Sequence, residues 1–148
     1  MEPEFSGSAV IDRPIEEVFA FLADGTNDPK FSPRVKEIRQ TTDGPIGVGT
    51  VFQSKVKDAG VTTDRTFELT EFEPPTKIRW TERSKNMITV PDGGYDLEAL
   101  GDAKTKVTIR NRFEAHGFGK VIVRPALNAA KKDAPAFAQR IKAAIESS

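Results

Sequence analysis

Apolar residues change their spacing along this 148-residue chain, and the changes divide it into elements. Toward the end they fall at Val123, Leu127, Ala130, Ala134, Phe137, Ile141, Ala144 and Ile145. Steps of three and four place these side chains on one helix face. Arg124, Asn128, Lys131, Lys132, Gln139, Arg140 and Lys142 fall largely off that stripe. The spacing predicts a helix over residues 119–146, about 40 Å long at 1.5 Å per residue. Its apolar face must lie along most of a chain this short, so the upstream residues are expected to form the surface that receives it.

Upstream the period is two. Phe5, Gly7, Ala9 and Ile11 alternate in a first strand over residues 4–12. Asp12-Arg13-Pro14 then switches the period. Asp12 is expected to cap a helix, Pro14 suits its first turn, and Glu16 and Glu17 suit the positive end of its dipole. Ile15, Val18, Phe19 and Leu22 predict a short amphipathic helix near 14–24. Asn27-Asp28-Pro29 restarts a second short helical piece through Phe31, which Pro33 stops.

Six more strands are expected at 35–41, 50–57, 61–72, 77–83, 87–100 and 105–114. Asp58-Ala59-Gly60, Glu73-Pro74-Pro75-Thr76 and Gly101-Asp102 supply turns, and Pro91-Asp92-Gly93-Gly94 predicts a bulge. Strands set apart from helices argue an α+β architecture. A curved seven-stranded antiparallel sheet would wrap around the long helix, with two short helices after the first strand, all in one domain over residues 1–148. Three alanines among the eight stripe positions suggest a thin filling, and hence a hollow between sheet and helix.

Composition narrows the functions. Lysine plus arginine and aspartate plus glutamate both number 22, which argues against a generally basic nucleic-acid binder. The charge is nonetheless uneven: residues 1–34 hold seven acids and three bases, residues 119–148 six bases and two acids. Without cysteine there is no disulfide, thiolate nucleophile or thiolate metal site, and with His116 as the single histidine no metal or other cofactor is expected. Met1-Glu2-Pro3-Glu4 lacks the basic start of a signal peptide, and no apolar run approaches the roughly 20 residues of a membrane span. The expectation is a cytoplasmic protein without integral membrane association; oligomeric state is left open.

Several stretches, taken together, resemble the START-like (SRPBCC) superfamily, which comprises polyketide cyclases/dehydrases and lipid transport proteins. They are the first strand leading into residues 12–22, Asp28-Pro29-Lys30-Phe31-Ser32-Pro33, Gly47-Val48-Gly49-Thr50, Leu69-Thr70-Glu71-Phe72-Glu73-Pro74-Pro75 and the final helix. The resemblance covers essentially the whole chain and implies a helix-grip fold with a deep apolar cavity. Members include lipid carriers, hormone and ubiquinone binders, and aromatase/cyclases, so it implies a pocket without an activity. Two departures stand out. Phe31 occupies a position where relatives often carry tryptophan, and Pro135 interrupts the long helix, where a kink near 131–135 is expected.

The expected cavity wall is Phe52, Phe67, Leu69, Trp80, Leu97, Ile109, Leu127 and Phe137. Alternation puts polar residues in phase with it: Arg65 with Phe67 and Leu69, Glu82 with Trp80, Tyr95 with Leu97, Asn111 with Ile109. The Pro74-Pro75 turn would set Phe67 roughly opposite Glu82, with Arg65 on the diagonal, and the turn at Gly101 would set Tyr95 near Ile109. A buried charge needs a partner, so Arg65 is expected to pair with Glu82. The alternative is that the strands slip at a bulge and leave these charges on the rim.

His116 reads as a structural or exposed residue rather than a catalytic one. Gly44, Gly47 and Gly49 lead into a strand, not a helix N-terminus, so they do not make a phosphate loop. No catalytic constellation is identified. Three functions remain open: a binder or carrier of a small hydrophobic or amphipathic ligand (lipid-, polyketide- or isoprenoid-like), an aromatase/cyclase or dehydratase, and a protein-interaction module using the basic helix face.

Overall fold

The computed structural model describes residues 4–58 and 60–148; residues 1–3, which include most of the acidic start, and Ala59, in the middle of the first hairpin turn, lie outside them. The chain runs β1 (Glu4–Ile11), α1 (Ile15–Ala23), a 3-10 turn (Gly25–Lys30), β2 (Val35–Gln40), β3 (Val51–Asp58), β4 (Val61–Glu73), β5 (Lys77–Glu82), β6 (Ile88–Ala99), β7 (Thr105–Ala115) and α2 (Gly119–Glu146). Seven strands form one curved sheet in the order β1-β7-β6-β5-β4-β3-β2, antiparallel throughout. Only the β1–β7 contact joins strands that are not sequential. This is a helix-grip fold, and α2 lies on its β1 and β7 side.

The core gathers at one end of the concave face. Ile11, Val107, Leu97 and Ile78 come from the sheet, Val18, Phe19 and Leu22 from α1, and Ile141 and Ile145 from α2. A salt-bridged knot ties the chain there: Lys142 Nζ donates to the Val10 carbonyl at 2.9 Å, and the Asp12 amide donates to the Glu146 carboxylate at 2.9 Å. Asp12 is thereby occupied differently from expectation. α1 begins at Ile15 behind Pro14 with no side-chain cap, because Asp12 lies two residues before the cap position and its carboxylate faces Lys142 at 3.7 Å.

The alanines of the long helix also act otherwise than the sequence suggests. Ala134 is buried against Gly7 of β1, where an added Cβ would lie 2.5 Å from the Ala134 carbonyl oxygen. Small residues on both sides bring the helix backbone onto the strand, so the thin stripe gives close approach rather than a hollow. α2 continues as one helix through Pro135, and through Pro125, each of which removes one backbone hydrogen bond.

β4 carries a bulge. Its pairing with β5 shifts between Leu69 and Glu71, so Phe72 rather than Glu71 continues the inward face. Phe72 packs edge-on against Phe19 at 5.2 Å, while Glu71 turns outward to Lys77. The extra residue rotates the strand by half a period, which simple alternation cannot register.

Candidate functional site

Register assembles the inner wall. Phe52 stands opposite Phe67 and Ser54 opposite Arg65; Phe67 is opposite Glu82 and Leu69 opposite Trp80. Farther across, Trp80 is level with Gly93 and Ile78 with Tyr95, then Gly93 with Asn111, Tyr95 with Ile109 and Leu97 with Val107. Because directly paired residues share a face, Arg65, Glu82, Tyr95 and Asn111 lie on the same concave surface as the apolar wall. The β4 bulge lies beyond Leu69, toward the closed end, so it leaves Arg65 in phase with Phe67.

Glu82 is the most heavily bonded acid on this surface, and its side chain has no exposed area. Arg65 Nη1 donates to its two oxygens at 3.1 and 3.2 Å and to the Ile88 carbonyl at 3.0 Å. Ser84 Oγ, Asn86 Nδ2 and the Val90 amide donate to the same carboxylate at 2.6, 3.0 and 2.9 Å. Such complete pairing makes a buried carboxylate tolerable. Arg65, 17 % exposed in its side chain, spends only Nη1 on these bonds. Among the described residues Nε and Nη2 have no acceptor, and neither is sealed from open space.

Trp80 and Asn111 meet across an absent side chain. Trp80 Nε1 donates to Asn111 Oδ1 at 3.1 Å over Gly93, the residue between them in register, where any Cβ would overlap both groups. Trp80 also packs edge-on against Tyr95, with ring centroids 5.1 Å apart. Asn111 therefore spends its carbonyl on holding the indole and keeps its amide for other partners.

The enclosed cavity expected behind these residues is not what the wall forms. Phe52, Leu69, Leu97, Ile109 and Leu127 are buried to 4–5 % exposure, too little surface for the walls of a chamber holding water or ligand. Between β1, β7 and α2, a crevice lined by Gly7, Ala9, Val107, Ile109, Ala138 and Ile141 holds about 150 Å³ of interatomic space, part of it open solvent, with no room for a water-sized sphere. Of the expected wall only Ile109 borders it. Phe67, Trp80, Arg65, Asn111 and Phe113 are instead half-buried on the concave side. These residues form the half-buried part of this surface, beyond the core. Leu127 stands apart from the main core cluster, and Phe137 packs edge-on against Phe31 at 5.7 Å.

A second carboxyl on this side was read in the sequence only as part of the short helical restart. Asp28, in the 3-10 turn, is half-buried. Burial first, and the nearby charge of Asp24 second, push its pKa up to about 7. Burial also holds the Tyr95 phenol well above its ordinary value, and the charge of Asp28 adds to that rise. Neither side chain makes a hydrogen bond among the described residues. The turn is pressed over the sheet by Gly25 against the Phe52 ring and by Phe31, whose carbonyl accepts from Arg140 Nε at 3.1 Å.

The remaining candidates separate from this site. His116 is half-exposed at the end of β7, with Nε2 3.0 Å from Thr89 Oγ1. Gly44, Gly47 and Gly49 lie in the β2–β3 connection with a strand behind them. Among the described residues no helix is long and apolar enough to cross a membrane.

A curved sheet gripping a C-terminal helix defines the START-like class. The chain belongs to the polyketide cyclase / dehydrase and lipid transport family, whose model matches residues 2–146. No curated protein sequence matches it significantly. Among solved structures it is similar to the Zhui aromatase/cyclase from Streptomyces sp. R1128, at a TM-score of 0.79 and 16 % identity over 97 % of this chain and 93 % of that one. A START superfamily protein from Mycobacterium smegmatis aligns at a TM-score of 0.76 and 14 % identity, over 97 % of each chain. The di-domain aromatase/cyclase BexL from the BE-7585A biosynthetic pathway aligns at 0.75 and 18 % identity, over 97 % of this chain and 46 % of that one. At these identities the likeness shows the fold.

Proposed function

We propose that the protein binds a small hydrophobic or amphipathic molecule along this half-buried surface, with an oxygen of that ligand held by Arg65. Apolar walls supply affinity without direction, and a few placed polar groups orient what they hold. Arg65 carries the reading: Glu82 fixes one edge of the guanidinium, and the unused Nε and Nη2 form a donor edge suited to a carboxylate or keto oxygen. Phe67, Trp80 and Phe113 give the aromatic surface beside it, and Leu69, Leu97 and Ile109 back it from the core. Native mass spectrometry of the purified protein tests this. A co-purified small molecule whose occupancy falls in Arg65→Met is the expected result; equal occupancy in both proteins contradicts the anchor.

Aromatase/cyclase chemistry is the second reading, favoured by the aromatase/cyclases among the similar structures. Arg65 would polarise a keto oxygen, and Tyr95, which holds its proton tightly, would donate to one. Turnover that falls in Tyr95→Phe while affinity holds would select the enzyme over the carrier.

A further inference from the structure

We propose that the first half of α2 is a membrane-docking face: the exposed apolar residues Met87, Phe118, Val121 and Ile122 enter an anionic lipid surface whose headgroups meet Lys85, Lys120 and Arg124. This goes beyond the binding reading above and stands without it.

α2 is apolar on two opposite faces along its first half. Leu127 and Ala134 are buried on one. Phe118, Val121, Ile122, Pro125 and Ala129 recur three and four residues apart on the other, and all five are exposed. Phe118 is 81 % exposed and Val121 73 %. Met87, the residue before β6, joins them, because Gly119 packs on its backbone so closely that a Cβ there would overlap the Met87 carbonyl. The other exposed large apolar side chains among the described residues, Val10, Val48, Val61 and Leu100, lie on β1 and at three separate strand connections. An apolar patch gathered in this way marks an interaction surface.

Charge says what covers it. Residues 115–132 hold Lys120, Arg124, Lys131 and Lys132 and no acid. Lys120, Arg124 and Lys131 fall along one edge of the apolar face, and Lys85 precedes Met87 by two residues. Among the described residues none of these five cations forms an ion pair, whereas Arg140 and Lys142, on the second half of the same helix, pair with Asp133 and Glu146. A second copy docked through this face would set the cations against their own counterparts, since a twofold interface brings the same patch together. Anionic headgroups neutralise them instead. The outer face of a single helix is also convex, suited to entering a headgroup layer rather than to receiving a partner's side chain. The face adjoins the proposed ligand site, for Ile88, next to Met87, gives its carbonyl to Arg65 Nη1 at 3.0 Å.

Co-sedimentation of the full chain with vesicles at pH 7 and low salt tests the face. Vesicles of phosphatidylcholine with a quarter phosphatidylserine are expected to bind it at least about tenfold more tightly than phosphatidylcholine alone. Phe118→Ser combined with Val121→Ser should weaken that binding by about tenfold, and Lys120→Gln combined with Arg124→Gln by about twentyfold. These side chains are exposed, so thermal unfolding should match the parent. Lys106→Gln, at an exposed position on β7, and Arg65→Met should both dock as the parent does. Binding to neither vesicle, equal binding to both, or binding indifferent to Phe118 and Val121 overturns the proposal. So does docking lost in Arg65→Met, which would place the lipid contact at the ligand site. Self-association in solution that disappears in the double serine variant, without vesicle binding, would make the face an interface between copies instead.

Discussion

Two carboxyls, Glu82 and Asp28, are treated in opposite ways by their surroundings. Glu82, at the open end, is enclosed by donors from Arg65, Ser84, Asn86 and the Val90 amide. Asp28, under the turn that closes over the sheet, has no donor among the described residues and a pKa raised to about 7. The first arrangement is a finished structure: it fixes one edge of a guanidinium and leaves the other edge available. The second lacks a donor, and burial together with the charge of Asp24 favours its protonated form. Burial alone decides neither outcome; the neighbours do.

Removing the finished side should have the largest effect. Glu82→Ala leaves Arg65, Ser84, Asn86 and the Val90 amide without their acceptor, and a loss of about 3 kcal/mol is expected in urea unfolding at pH 7. The opposite sign is expected at Asp28. Its folded pKa of about 7 lies above the ordinary 3.8, so the folded state holds the proton more tightly. Stability contributed by that proton is complete below about pH 4 and is lost as pH rises through 7. Asp28→Asn should therefore match the parent near pH 4 and exceed it by about 2–3 kcal/mol at pH 8, less than the full shift implies because the residue is only half-buried. An Asn variant no more stable at pH 8 than at pH 4, relative to the parent, would remove the contrast.

Smaller effects sharpen the picture of the wall between them. Arg65→Met removes the cation paired with Glu82 and should cost about 2 kcal/mol, with three neutral donors remaining on the carboxylate. Thermal unfolding measures this, and a much larger loss would make Arg65 primarily a structural residue. Gly93→Ala places a methyl group on the Trp80–Asn111 hydrogen bond, and a cost of about 1–2 kcal/mol should accompany a change in Trp80 emission. Unaltered emission would show that the indole is held by packing alone.

Much of this surface was legible in the sequence, for a reason visible at particular turns. Tight reversals at Pro74-Pro75 and near Gly101 set the pairing of their strands, so Phe67 against Glu82 and Tyr95 against Ile109 followed from alternation and turn position. The Arg65–Glu82 bond followed in turn. The β4 bulge was not legible, because one inserted residue carries no signature there, and it moved Glu71 out and Phe72 in. Ala134 was misread because the same small side chain serves a void or a close approach, and only its partner, Gly7, decides between them. Asp28 was missed as a perturbed carboxyl for a related reason. Its local sequence marks a turn, while its desolvation comes from tertiary packing around that turn.

The proposed ligand binds at the half-buried surface beside Arg65 and not at the packed end of the fold. Amide and side-chain NMR mapping with 2-naphthoate, an apolar carboxylate, tests it most directly. Saturable shifts are predicted at Arg65 Nε–H, the Trp80 indole N–H and the Asn111 amide, with the closed-end residues Ile11, Val18 and Ile141 unmoved and the response weakened about tenfold in Arg65→Met. Shifts confined to the exposed basic face of α2, or a response unchanged by Arg65→Met, would contradict it.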